Sequence, residues 1–120
     1  MTAENRSESG MNLSEYQCLA ARTINKALDT EKIERHALHG LSAEVGELHG
    51  IFQKYYQGHT IEEVHLKKEI GDILWMIAEF CTANGWDLEE IAVMNIEKLK
   101  ARYPDGFEAE KSLHRAKGDI

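Results

Sequence analysis

The stretch Leu38–Tyr55 reads LHGLSAEVGELHGIFQKY, and its apolar residues decide the fold. Leu38, Leu41, Val45, Leu48, Phe52 and Tyr55 follow one another at spacings of 3, 4, 3, 4 and 3. That rhythm places them on one face of an α-helix and leaves no strand alternation. A second segment repeats it: Leu66, Ile70, Ile73, Ile77 and Phe80 are spaced 4, 3, 4 and 3. Both are seams of the kind that packs helix against helix, and a short connection favours antiparallel neighbours.

Capping signals set the expected boundaries. Asn12 with Glu15 predicts a helix over 13–28, and Asp29 or Thr30 starts another over 31–56 that ends near Gly58. Thr60 with Glu63 predicts a third over 61–84, closed by Asn84-Gly85, and Asp87 with Glu90 a fourth over 88–102. Tyr103-Pro104-Asp105-Gly106 then forms a turn. The expected fold is an all-α antiparallel helical bundle over 12–103, between a disordered extension (1–11) and a tail (104–120). Seams this narrow in a chain of 120 residues are expected to complete their core by oligomerisation.

The two helical segments also share a phrase. Glu44-Val45-Gly46-Glu47-Leu48 is matched by Glu69-Ile70-Gly71-Asp72-Ile73. Acids three residues apart share a helix face, and each of the four precedes a seam residue. Packed helices are therefore expected to direct Glu44, Glu47, Glu69 and Asp72 into one groove. Four carboxylates there repel one another, and Mg²⁺ or Mn²⁺ resolves the conflict because hard cations prefer oxygen ligands. A helical glycine costs about 1 kcal/mol relative to alanine. Gly46 and Gly71, between the paired acids, therefore suggest close approach of a helix or of a bulky ligand. A single pair of acids at this spacing is usually a solvated face; the duplication, the offset and the glycines reverse that preference.

The fourth helix carries Asn95, Lys98 and Arg102, each preceding an apolar residue, Ile96, Leu99 or Tyr103. This polar stripe suits phosphate oxygens. For Arg102 an ordinary basic helix end is an equal alternative. Other features weigh less. Glu62 and His65 read as surface residues, and Lys54 as a solvated lysine. Trp75, Met76, Tyr16 and Gln17 are open to either a base pocket or core packing.

Bulk properties narrow the field. A formal net charge of -7 makes the chain a poor candidate for binding a nucleic-acid backbone. No apolar run suits a membrane span, and no signal-peptide core is present. Cys18 and Cys81 lack metal-ligand spacing and read as reduced, packed thiols of a cytoplasmic protein.

Glu44-x-x-Glu47, 21 residues, then Glu69-x-x-Asp72 resembles the signature of the all-α nucleoside triphosphate pyrophosphohydrolases. That superfamily includes MazG, the dimeric dUTPases, the dCTP pyrophosphatases and phosphoribosyl-ATP pyrophosphohydrolase. The segment Asn95-Ile96-Glu97-Lys98-Leu99-Lys100-Ala101-Arg102-Tyr103-Pro104 is similar to the Asn-x-x-Lys-Leu-x-x-Arg-Tyr-Pro stretch of single-domain MazG-like proteins, and Leu13–Thr23 also looks like that group. The resemblance implies Mg²⁺-dependent hydrolysis of a nucleoside triphosphate between the α and β phosphates, in a homodimer or homotetramer. It implies Glu44, Glu47, Glu69 and Asp72 as metal ligands and catalytic acids, with Asn95, Lys98 and Arg102 as phosphate ligands. A catalytically silent nucleotide- or metal-binding regulator and a purely structural helical oligomer are the rival readings.

Overall fold

The computed structural model describes residues 10–120. Helices make up the fold: α1 (Leu13–Ala20), a 3₁₀ turn (Ala21–Thr23), α2 (Thr30–Tyr56), α3 (Glu63–Ala83), α4 (Leu88–Arg102) and α5 (Ala109–Leu113). No strand forms among the described residues; a backbone bridge from Pro104 to Gly106 belongs to the expected turn. No helix among them is long and apolar enough to cross a membrane. The extension expected to be disordered lies, over 1–9, outside the described residues.

Side-chain caps explain three of the starts. Asn12 accepts from the Glu15 backbone N–H at 2.8 Å, Asp29 from Lys32 at 2.9 Å and Asp87 from Glu89 at 3.1 Å. The expected Thr60 box does not form: α3 starts two residues later than predicted, after Glu62, without a side-chain cap. The first helix also stops earlier than predicted. Thr23 turns its hydroxyl back onto the Ala20 carbonyl, Ile24 is extended, and Asn25 accepts from the Ala27 N–H. Such local side-chain bonds compete with helix continuation. Gly58 and Gly85 end α2 and α3 with φ of +103° and +71°, values that favour glycine.

Helices α2 and α3 pack as an antiparallel pair: Gly40 meets Met76, and His36 meets Glu79. The line of contact is not the predicted one. Along α2 the more buried positions are Ile33, Ala37, Leu41, Glu44, Leu48 and Ile51, whereas Leu38, Val45, Phe52 and Tyr55 are exposed. On α3, Leu66, Glu69, Ile73, Met76 and Ile77 turn inward, while Ile70 is 54% exposed. The expected seams thus hold two stripes. One packs within the chain, and the other is an apolar surface.

A small core joins the remaining elements. Ala78 and Cys81 of α3 and Leu88 of α4 are buried together, with Leu13, Tyr16 and Ala20 of α1 packed against them. Burial pushes the Cys81 thiol up, while Cys18, expected to pack, is exposed. Gln17 ties α1 to α4: its amide accepts from the Leu88 N–H at 2.8 Å and donates to the Trp86 carbonyl at 2.8 Å. Ser14 donates to Asp87 at 2.9 Å. These bonds hold the first turn of α4. Beyond it Ile91, Met94, Ile96 and Leu99 are all exposed, so this helix does not close a bundle within one chain.

Candidate active site

The acids sit where α2 and α3 touch. The line of contact keeps Leu41, Leu48, Leu66 and Ile73 of the expected seams but takes in Glu44 and Glu69 in place of Val45 and Ile70, so these two acids lie within it rather than beside it. Glu44, Glu47 and Glu69 each bring a carboxylate oxygen within 4.8 Å of the others. Asp72 is not part of that ring; it is exposed at the edge. Its charge is nonetheless felt there and helps raise both Glu44 and the Tyr16 phenol. The expectation of four carboxylates in one groove therefore becomes three in contact and one beside them.

The ring is electrostatically unfinished. One oxygen of Glu44 and one of Glu69 are buried with no hydrogen-bond partner among the described residues. Burial pushes the Glu44 carboxyl above the usual carboxylate range, and Glu47, Asp72 and Glu69 push it further. An orphaned buried oxygen costs about 1–3 kcal/mol. A hard divalent cation satisfies such oxygens and neutralises the charge at once, so the donor set fits one.

Two basic side chains flank the open end of the ring. His65 Nε2 stands 3.3 Å from Glu69, one turn before it on α3. A cavity of about 300 Å³ is lined by Glu47, Gly50, Ile51, Lys54, His65 and Glu69. His65 and Lys54, read above as surface residues, thus border the acids. The i,i+4 spacing of His65 and Glu69 was the available sequence signal.

Gly46 and Gly71 are not points of helix contact. A methyl at either position would meet nothing within 4 Å, whereas one at Gly40 would lie 2.4 Å from the Met76 sulfur. Close approach of α2 and α3 falls at Gly40, and Met76 serves that packing. The base-pocket candidates are otherwise occupied too. Gln17 is spent on α4, and Trp75 donates its indole N–H to the Thr23 hydroxyl at 2.9 Å. The Trp75 ring stands edge-on to His36 at 6.4 Å. His36 in turn bonds Glu79, a carboxylate 2% exposed, and no sequence pattern singled this pair out.

The α4 stripe is not brought to the acids. Asn95 and Lys98 lie on its exposed length and form no hydrogen bond or ion pair with them among the described residues. Arg102 donates through Nε and Nη2 to Asp119, both at 2.7 Å. The fork expected to hold phosphate holds a carboxylate of the chain itself.

An all-α chain that gathers carboxylates between two antiparallel helices carries a donor set of the kind that fits a divalent cation. Its sequence matches the model of the MazG nucleotide pyrophosphohydrolase domain over residues 30–107, and the chain belongs to that family. The matched region runs from the start of α2 through α4, taking in both acid pairs and the polar stripe. The family uses a divalent metal, in keeping with the acid cluster. No curated protein and no solved structure gives a significant match.

Proposed function

We propose that this chain is a Mg²⁺-dependent pyrophosphohydrolase that cleaves a (d)NTP between the α and β phosphates, releasing (d)NMP and pyrophosphate. The observation that carries this reading is the ring of Glu44, Glu47 and Glu69, with its two orphaned inward oxygens. Glu44, Glu47 and Glu69 would hold the cation, with Asp72 assigned to the same set from its place beside them. A divalent cation bound there supplies counter-charge to the triphosphate and to the departing pyrophosphate; Mn²⁺ is the expected substitute.

The chain's own groups do the rest. Water adds to the α phosphorus as the bond from that phosphorus to the bridging oxygen breaks. A carboxylate of the acid set takes the proton from the water, and the electron pair leaves with pyrophosphate. Lys54 and His65 stand beside the acids, where the phosphate chain would enter. Asn95, Lys98 and Arg102 are assigned to the phosphates as well, and because α4 projects from its own chain they serve a neighbouring copy. The exposed Leu38, Val45, Phe52, Tyr55 and Ile70 surface and the exposed face of α4 supply the apolar area for a homodimer or homotetramer.

The test is pyrophosphate release from a panel of NTPs and dNTPs with Mg²⁺. Release from at least one, lost in Glu44→Gln and in Glu69→Gln, is the expected result. Binding without turnover would instead indicate a silent regulator. Sharing of α4 is tested by mixing inactive Glu44→Gln and Lys98→Ala chains: restored turnover supports it, and none refutes it.

A further inference from the structure

The chain folds back after Pro104 and closes a cavity of about 480 Å³ against the last turns of α4. Its wall carries Lys98, Arg102, Lys111 and Arg115, with His114 beside them, against one acidic side chain, Asp119, and with Ile120 also in the wall. This is a local excess of positive charge in a chain whose net charge is -7. Arg102 grips Asp119 with a bidentate fork, two parallel bonds of 2.7 Å, and the side chains are 9% and 15% exposed. Lys98 and Arg115 also act on that carboxylate, yet neither closes an ion pair of its own among the described residues. Lys111 has Glu108 at 3.3 Å. Asp119 is therefore the one acidic side chain of this wall that Arg102, Lys98 and Arg115 all act on.

A fork that fits a carboxylate also fits a phosphate, which brings more charge and a third oxygen. A phosphate group, with more charge and three free oxygens, could engage Arg102, Lys98 and Arg115 together, whereas here Asp119 accepts hydrogen bonds from Arg102 alone of the three. Asp119 is held by a short segment, 114–119, that follows the five-residue α5 and is mostly exposed apart from Asp119. Segments with so little burial open at low cost. We propose that this cavity binds a phosphate-class anion and that Asp119 is an internal competitor which the anion displaces. The inference rests on the phosphate-binding role given above to Lys98 and Arg102, and adds Arg115 and Asp119 to it. The anion is either the phosphate chain of the nucleotide or free pyrophosphate.

Calorimetric titration of the full chain with inorganic pyrophosphate in EDTA tests the site without calling on turnover. Asp119→Asn is expected to bind roughly tenfold more tightly than the parent, and Arg115→Ala several-fold more weakly. Equal or weaker binding by Asp119→Asn overturns the proposal. Should that variant fold poorly, pyrophosphate added to the unaltered chain must shift the NMR signals of the Arg102 Nε–H and the Asp119 amide; no shift overturns it equally. Tighter pyrophosphate binding without any nucleotide turnover leaves this site standing and defeats the enzymatic reading. Turnover with unchanged pyrophosphate binding does the reverse. In an active enzyme, a lower KM in Asp119→Asn identifies the nucleotide as the anion, and stronger inhibition by pyrophosphate at unchanged KM identifies the free product. No change in either overturns the proposal.

Discussion

Two charged sites lie at opposite ends of the chemistry. Between α2 and α3, carboxylates crowd together and two of their oxygens have no hydrogen-bond partner among the described residues. Between α4 and the C-terminal segment, cations gather around one internal carboxylate. The first site leaves its charge unbalanced inside the chain; the second is partly balanced by Asp119. An unbalanced site is costly until its ligand arrives, while a balanced one is stable but must be opened. Removing charge should therefore have opposite effects at the two places.

The largest expected effect is catalytic. Glu44→Gln and Glu69→Gln should each lower turnover by roughly 10²–10⁴-fold, read as pyrophosphate release, because the proposed reaction assigns both cation and proton to the acid set. Full activity in either would break the comparison outright. Mg²⁺ should raise the melting temperature of the parent chain and leave that of Glu44→Gln nearly unmoved.

Next comes metal-free stability. In EDTA at neutral pH, Glu44→Gln should be the more stable chain by about 1 kcal/mol, a few degrees in melting temperature. The pH dependence fixes the cause. The Glu44 carboxyl is raised from its usual 4.5, so protonating it stabilises the fold; that gain is complete below 4.5 and is lost as pH rises through the raised value. The advantage of the glutamine should thus shrink on acidification and be gone below 4.5.

Asp119→Asn should move the other way. Arg102 holds the Asp119 carboxyl below its usual 3.8, so the stability it gives is present above 3.8 and lost as pH falls through the lowered value. The asparagine chain should melt lower at neutral pH and match the parent in strong acid. A rise in melting temperature at neutral pH would remove the contrast between the two sites.

The smallest effect concerns the glycines. Gly46→Ala should stabilise a dilute, monomeric chain by about 0.5–1 kcal/mol through helix propensity. Gly40→Ala should gain less, because its methyl must push Met76 aside. Denaturation followed at several protein concentrations separates the cases: a loss confined to the concentrated Gly46→Ala chain would place a partner copy on that face.

Much of this was legible from periodicity and caps. The starts of α1, α2 and α4 follow Asn12, Asp29 and Asp87, whose side chains bond the backbone as their types predict. Periodicity did not say which of two adjacent apolar stripes packs inside the chain. Val45 and Ile70 look like core in a pattern, yet Glu44 and Glu69 took the line of contact, since a stripe meant for another surface has the same period. The tail site was not legible, because Arg102 and Asp119 are 17 residues apart and share no helix. Nothing local marks such a pair.

The fastening of α4 by Gln17 has a practical consequence. The match to the family model begins at residue 30, but the bonds that seat α4 come from residues 14 and 17. A shortened chain cut to the matched boundaries would keep Glu44, Glu47, Glu69 and Asp72 and lose the anchor of its fourth helix. The α2–α3 pair would keep the carboxylate ring, and α4 would lose its hydrogen bonds to α1. The region that sequence comparison recognises is thus smaller than the region that folds as a unit.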